Sequence, residues 1–214
     1  MKLEEKIALQ ESMRQRISIE PLVSQPKIVS GVDVAYGNDG TASAAIVTME
    51  YATHKVLEIV TARIFTMEPY VPSMLSFREM PAFLAAWQKR NIDPDLVFFD
   101  GNGIWHPRRL GLATHASFVI DKPTIGIAKN PFRDLGAILE PPSIKGAYTL
   151  IEHEGEVLAA CLRTRTGAKC QYVSVGNRIT LEEAIDHTLH LTTEDSKYPI
   201  ITKMADTTLR TGGA

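Results

Sequence analysis

Leu96–His115, LVFFDGNGIWHPRRLGLATH, is the stretch from which the rest of the chain is read. Four apolar residues, Leu96 to Phe99, end on an acid, Asp100, the pattern of a buried strand that surfaces at a sheet edge. Gly101 and Gly103 bracket one small residue. Trp105, His106, Pro107, Arg108 and Arg109 follow, and then an Ala/Leu-rich segment opens. This order predicts a strand, a tight turn and a helix that runs from after Arg109 to about Ile120. In open α/β sheets, ligands bind beyond the carboxyl ends of the strands. A carboxylate placed there, beside glycines and cations, suggests a site for a metal and a phosphate. An aspartate in a turn before glycine is the ordinary alternative.

Working outward, residues 82–90 read as a helix, entered through the Pro-rich connector 67–81. Before that, residues 27–36, 41–50 and 55–65 have β-branched strand patterns separated by short turns, which predicts an antiparallel meander. Residues 1–17 place Leu3, Ile7, Leu9, Met13 and Ile17 in near-helical spacing, as a leading surface helix with an apolar inner face. Downstream come a short strand at 124–129, a Pro/Gly-rich loop, and a hairpin over 147–164 turning at Glu154-Gly155. A strand over 169–175 follows. Thr180 with Glu183 forms a capping box that opens a helix, and the tail is a final helix or loop. Three antiparallel strands, then alternating strands and helices, make a mixed-sheet α/β fold. The order matches the ribonuclease H-like architecture, an antiparallel meander plus parallel strands flanked by helices.

The 214 residues fit one domain, 1–214, since chains rarely split below about 250 residues. Hydrophobic residues at 44% supply a core, and a net charge of −2 argues against coating nucleic acid by bulk charge while permitting a local basic groove. Cys161 and Cys170 lack metal-ligand spacing and read as buried free thiols of a reducing compartment. The charged N-terminus has no apolar signal region, and no stretch approaches the roughly 18 apolar residues of a membrane span. A cytoplasmic location is expected.

Asp33 interrupts the first strand between Val32 and Val34. It is either an exposed acid on an edge strand or a paired or metal-bound group, since burying a bare charge is costly. Glu79 stands three residues after Ser76 at capping-box spacing, but Pro81 favours a helix start near Glu79–Pro81. Taken together, Asp33, Glu79 and Asp100 offer the hard oxygen ligands that suit Mg²⁺. Lys129 would lie near Asp100 if their strands are parallel neighbours, to hold a phosphate or orient a water, or else is a solvated strand end. His106, fixed by the next proline, reads as a phosphate or ligand contact or as a structural histidine. Pro69, Tyr70, Val71 and Pro72 form a stiff loop with an aromatic tip. Such a tip can wedge between stacked bases or pack on the protein body.

GVDVAY, PYVPSMLSFREMP, DGNGIWHPRRLGLATH, PTIGIAK and SVGNRITLEEA together resemble the motif series of the endonuclease V family, in order and at family-like spacing, from about Ile28 to Asp206. The resemblance implies a ribonuclease H-like endonuclease that uses Mg²⁺, with Mn²⁺ as a substitute. Such an enzyme recognises deaminated adenine in DNA, as deoxyinosine, or inosine in RNA. It hydrolyses the second phosphodiester on the 3′ side. By motif match, Asp33, Glu79 and Asp100 bind metal, Lys129 contacts the scissile phosphate, and His106 sits beside the metal site and the lesion. Tyr70, with Pro69, Val71 and Pro72, is the strand-separating wedge. Leu75, Gly101, Gly103, Gly111, Gly126 and Ala128 line the pocket for the extruded base. Asp206 matches the family's C-terminal His or Asp. Asn177 stands where the family usually has histidine, and the tail PIITK replaces PEPTR; neither touches the three acids. Arg108, Arg109, Arg133, Lys145 and Arg178 are expected as backbone contacts that make binding fall with salt. A monomer without membrane contact is expected. A ribonuclease H-like nuclease of other specificity and a binding module without catalysis remain the competing readings.

Overall fold

Phe98 points into one hydrophobic cluster, while Val97 and Phe99 point into another. Residues 96–100 are thus a strand buried on both faces with a period of two. Full burial of each phenylalanine contributes about 1.5–3 kcal/mol. The computed structural model describes residues 1–66, 68–69, 71–132 and 134–212. In chain order the elements are α1 (Leu3–Arg14), β1 (Ile28–Tyr36), β2 (Thr41–Glu50), β3 (Val56–Phe65), α2 (Leu75–Trp87), β4 (Leu96–Asp100), α3 (Leu112–Ile120) and β5 (Thr124–Ala128). They continue as β6 (Tyr148–His153), β7 (Glu156–Leu162), β8 (Gln171–Asn177), α4 (Leu181–His190) and α5 (Ile200–Arg210).

The strands form one sheet in the order β3-β2-β1-β4-β5-β8-β7-β6. β4 pairs in parallel with β1 and β5, and the other neighbours are antiparallel. The expected meander is β1–β3, and the expected hairpin is β6–β7, with Glu154 and Gly155 both at positive φ as a two-residue turn requires. α2 and α3 pack on one face; α4 and α5 pack on the other. Thr180 caps α4, accepting from the Glu183 amide at 3.2 Å. Among the described residues no helix is long and apolar enough to cross a membrane.

Several local expectations change. α2 begins at Leu75, not near Pro81, and Ser76 in its first turn is turned to α3, meeting His115 through Oγ···Nδ1 at 3.0 Å. Pro81 then sits inside the helix on its exposed side. Glu79 is not a capping residue but is buried. α3 begins at Leu112, later than expected, because Arg109 takes a left-handed φ of 59° and the chain turns again before Gly111. β8 lies two residues later than expected. The tail is helical. α1 buries Lys6 and Gln10, while Leu3 is exposed and Ile7, Leu9 and Met13 are half-buried. Asn177 opposes Thr124 at the start of β5, the end of the sheet away from Asp100. There its Oδ1 accepts from the Ser18 amide at 2.8 Å, tying down the N-terminal connector.

One glycine decides how closely α5 approaches. A Cβ on Gly31 would meet the carbonyl carbon and oxygen of Ile201 at 2.7 Å. With hydrogen there, α5 lies directly on β1, and its next turn reaches the end of the sheet. Gly31→Ala should push α5 outward and cost about 1–3 kcal/mol, as overpacked cores do. Urea unfolding of parent and variant measures this; an unchanged midpoint would show that the helix does not depend on the close approach.

Candidate active site

β1 and β4 run in parallel with Val32 beside Phe99, so the next residues, Asp33 and Asp100, come side by side. β1 is an inner strand, flanked by β2 and β4, which removes the edge-strand reading of Asp33. β5 continues in parallel with Asp100 beside Ile127, and Lys129 follows two residues later on the same face. The Lys129 amine contacts the Asp100 carboxylate and lies 3.7 Å from Asp206 Oδ1. Asp206 comes from α5, where Arg210, one turn on, forks over it at 2.8 and 3.0 Å. Glu79 closes the group from α2. Four acids and one lysine, drawn from β1, β4, α2, α5 and the end of β5, thus share one corner of the sheet.

Their protonation shows the crowding. Burial, and then the charge of Asp100, push Asp33 up from 3.8 to about 7, against the pull of Lys129. Burial, Asp33 and Asp100 push Glu79 up to about 8. Asp100 is also raised, by burial, with Lys129 opposing. Burial alone would lower Lys129, but Asp100, Asp33 and Asp206 hold its amine above the usual lysine range. The pocket therefore carries more negative charge than its lysine offsets, with a donor set of hard oxygens. Among the described residues, no three of the acids are gathered into a closed cation cage. Lys129 supplies the positive charge between Asp100 and Asp206.

His106 is held by backbone groups. Its Nε2 faces the Ser73 carbonyl at 3.0 Å, and its Nδ1 accepts from the Arg108 amide at 3.2 Å. Burial, then Arg108, lower its pKa to about 4, so the ring is neutral. Gly103, Gly111 and Gly126 are knitted together: a Cβ would meet Val175 O at 1.9 Å, Asn102 O at 2.3 Å and the Gly103 amide at 2.3 Å, respectively. The turn after Asp100 is thereby pressed onto β5, β8 and the start of α3. Gly101 lies against the Leu112 side chain, Leu75 opens α2 exposed, and Ala128 is buried at the end of β5. Pro69, Val71 and Pro72 lie between β3 and α2, with Pro69 and Pro72 exposed and Val71 half-buried. Tyr70 and Arg133 lie outside the described residues.

The expected strand contacts are otherwise engaged. Arg109 is buried against Glu156, Arg108 bonds Ser73, Lys145 pairs with Glu194, and Arg178 pairs with Asp121. Sequence reading missed the residues that surround the acids. Arg78 stacks over the Tyr36 ring at 3.9 Å, beside Glu79. A cleft past Asp100 is lined by Lys129, Tyr198, Lys203, Asp206 and Arg210. Adjacency to Glu79 could have found Arg78, and i,i+4 spacing could have found Arg210. Nothing local marks Tyr198.

A mixed sheet of this order, with acids on adjacent parallel strands, defines a ribonuclease H-like nuclease. The chain belongs to the endonuclease V family, whose sequence model matches residues 11–207, and it is an endonuclease. It is 43% identical over 199 residues to the endonuclease V of Petrotoga mobilis, covering 93% of this chain and 88% of that protein. The crystal structure of the endonuclease V of Bacillus subtilis superposes with a TM-score of 0.94 at 36% identity, over 99% of this chain and 94% of that one. The Ciona intestinalis enzyme, crystallised with DNA containing an inosine followed by a ribo-adenosine, gives 0.84 at 28% identity, over 98% and 97%.

Asp33 and Glu79 titrate above their ordinary values of 3.8 and 4.5, at about 7 and about 8. Between about pH 4 and 8 the folded state therefore holds protons that the unfolded chain releases, and stability falls as pH rises through that window. In metal-free buffer, Glu79→Gln should raise the thermal midpoint by about 2–4 °C above pH 8 and leave it nearly unchanged near pH 4. A variant no more stable than the parent at high pH would contradict the charge crowding.

Proposed function

We propose that this chain is a Mg²⁺-dependent endonuclease that recognises deaminated adenine, as deoxyinosine in DNA or inosine in RNA. It hydrolyses the second phosphodiester bond on the 3′ side. The observation that carries the reading is the convergence of Asp33, Asp100 and Asp206 around Lys129 at one sheet end, with Glu79 close enough to Asp33 and Asp100 to feel their charge. The inosine-containing DNA held by the Ciona relative supports the substrate. Mn²⁺ substitutes for Mg²⁺, and the chain acts as one catalytic domain, 1–214, a cytoplasmic monomer.

The donor set fits the metal: carboxylates are the ligands Mg²⁺ prefers, and raised acids signal charge that a divalent cation relieves. Asp33, Glu79 and Asp100 would hold it, with Asp206 alongside. When bound, Mg²⁺ lowers the pKa of its water and neutralises charge on the phosphate oxygens. Lys129, protonated throughout the working pH range, holds the scissile phosphate and offsets its developing charge. Pro69–Pro72 present Tyr70 as the wedge that separates the strand at the lesion. The extruded base enters beside Leu75, Gly101, Gly103, Gly111, Gly126 and Ala128, where backbone groups read its edge. His106 acts at the root of the wedge segment, through Ser73.

Matched DNA and RNA oligonucleotides, with and without one inosine, test the reading in Mg²⁺. A single nick displaced 3′ from inosine is expected, and cutting that ignores inosine would overturn the specificity. Asp33→Ala and Asp100→Ala should lower nicking by about 10³-fold while lesion binding stays measurable. Either variant cutting at the parental rate would make the metal assignment wrong. Tyr70→Ala should weaken discrimination between inosine and undamaged strands more than it lowers the thermal midpoint. Unaltered discrimination in that variant would remove the wedge role.

A further inference from the structure

The inner face of α1 is polar. A surface helix ordinarily buries an apolar stripe, yet α1 buries Lys6 and Gln10, one turn apart on the same side. Both reach the segment between β3 and α2. Lys6, its side chain 10% exposed, is paired with Glu68, and its amine lies 5.5 Å over the Phe77 ring. Gln10 Nε2 donates to the Ser73 carbonyl at 3.2 Å and to the Leu110 carbonyl at 3.3 Å. Ser73 holds a left-handed φ of 63°, which a residue other than glycine keeps only when its surroundings enforce it. His106 Nε2 and Arg108 Nη2 meet the same carbonyl at 3.0 Å each, and Arg108 Nε also donates to Gln10 Oε1. One face of one helix therefore grips Glu68, just before Pro69, and Ser73, just after Pro72.

We propose that Lys6 and Gln10 are positioning residues for the Pro69–Pro72 tip. They fix the spacing and direction of its two roots, Glu68 and Ser73, before the nucleic-acid strand is met. This rests on the wedge reading given under Proposed function. Opening a stacked step is costly, and a tip that yields under that load has to be ordered at the expense of binding. Neither residue belongs to the acid cluster, so their effect falls on strand engagement and not on bond cleavage.

The full-length Lys6→Met, Gln10→Leu and Gln10→Glu variants test this in Mg²⁺ with a synthetic strand carrying one inosine. Gln10→Glu keeps the acceptor for Arg108 and loses the donor to Ser73. Gln10→Leu and Lys6→Met should raise KM about tenfold and lower inosine discrimination by a similar factor, with kcat at saturating strand within about twofold of the parent. Gln10→Glu should behave as Gln10→Leu does if the Ser73 bond is the operative one. Amide hydrogen exchange should quicken at Val71, Ser73 and Met74 and stay unchanged in β4. Unchanged exchange at these amides overturns the brace. Unchanged KM, or kcat falling while KM holds, overturns its role in engagement. If the parent itself ignores inosine, the wedge reading fails instead, and hydrogen exchange still decides whether α1 braces the segment.

Discussion

Two carboxylates forced side by side set the terms for the rest of the molecule. Asp33 and Asp100 sit on neighbouring parallel strands whose register leaves them no other place. Parallel pairing requires both strands to be covered on both faces, so the acids are drawn out of water along with the strands that carry them. Their mutual repulsion and burial must be opposed by something, and Lys129 on the next parallel strand is placed to do it. Glu79 and Asp206 add to the load rather than relieve it. The site is thus a region of concentrated, incompletely compensated charge, held together by hydrophobic burial elsewhere in the sheet. Proteins tolerate such arrangements where function requires them.

The helices explain how that charge is tolerated. α2 and α5 approach from opposite faces, one delivering Glu79 and the other Asp206. Gly31 lets α5 lie on the sheet with no side chain between. At the same corner, the glycines after Asp100 interlock with each other's backbones. The turn that carries the strand end is therefore rigid because its residues are small, not because it is crosslinked by side chains.

Much of this was legible in the sequence. The run Leu96–Asp100, the meander and the Glu154-Gly155 hairpin followed from periodicity and turn chemistry, which are local. The pairing of Asp100 with Lys129 was legible as a condition, since it needed only that two strands be parallel neighbours. What local reading could not supply was anything decided by tertiary contact. Ser76 and Glu79 stand at capping-box spacing and Pro81 spoke for a later helix start; neither signal shows that Ser76 meets His115 and that Glu79 is buried in the helix. The partners of the HPRR arginines were equally out of reach: Arg109 is buried with Glu156, and Arg108 bonds Ser73 and Gln10. Apolar spacing in α1 suggested an apolar inner face, and the polar Lys6 and Gln10 took it because their partners are polar.

The acid cluster and its lysine draw on chain positions 33, 79, 100, 129 and 206. Contacts so distant in sequence raise the contact order and close only after the intervening loops have been drawn in. A chain lacking α5 has β1 and β2 uncovered on one face and Asp206 missing from the corner. The cluster is in that sense a readout of completed folding: a truncated or half-folded copy displays some of its members and never the set.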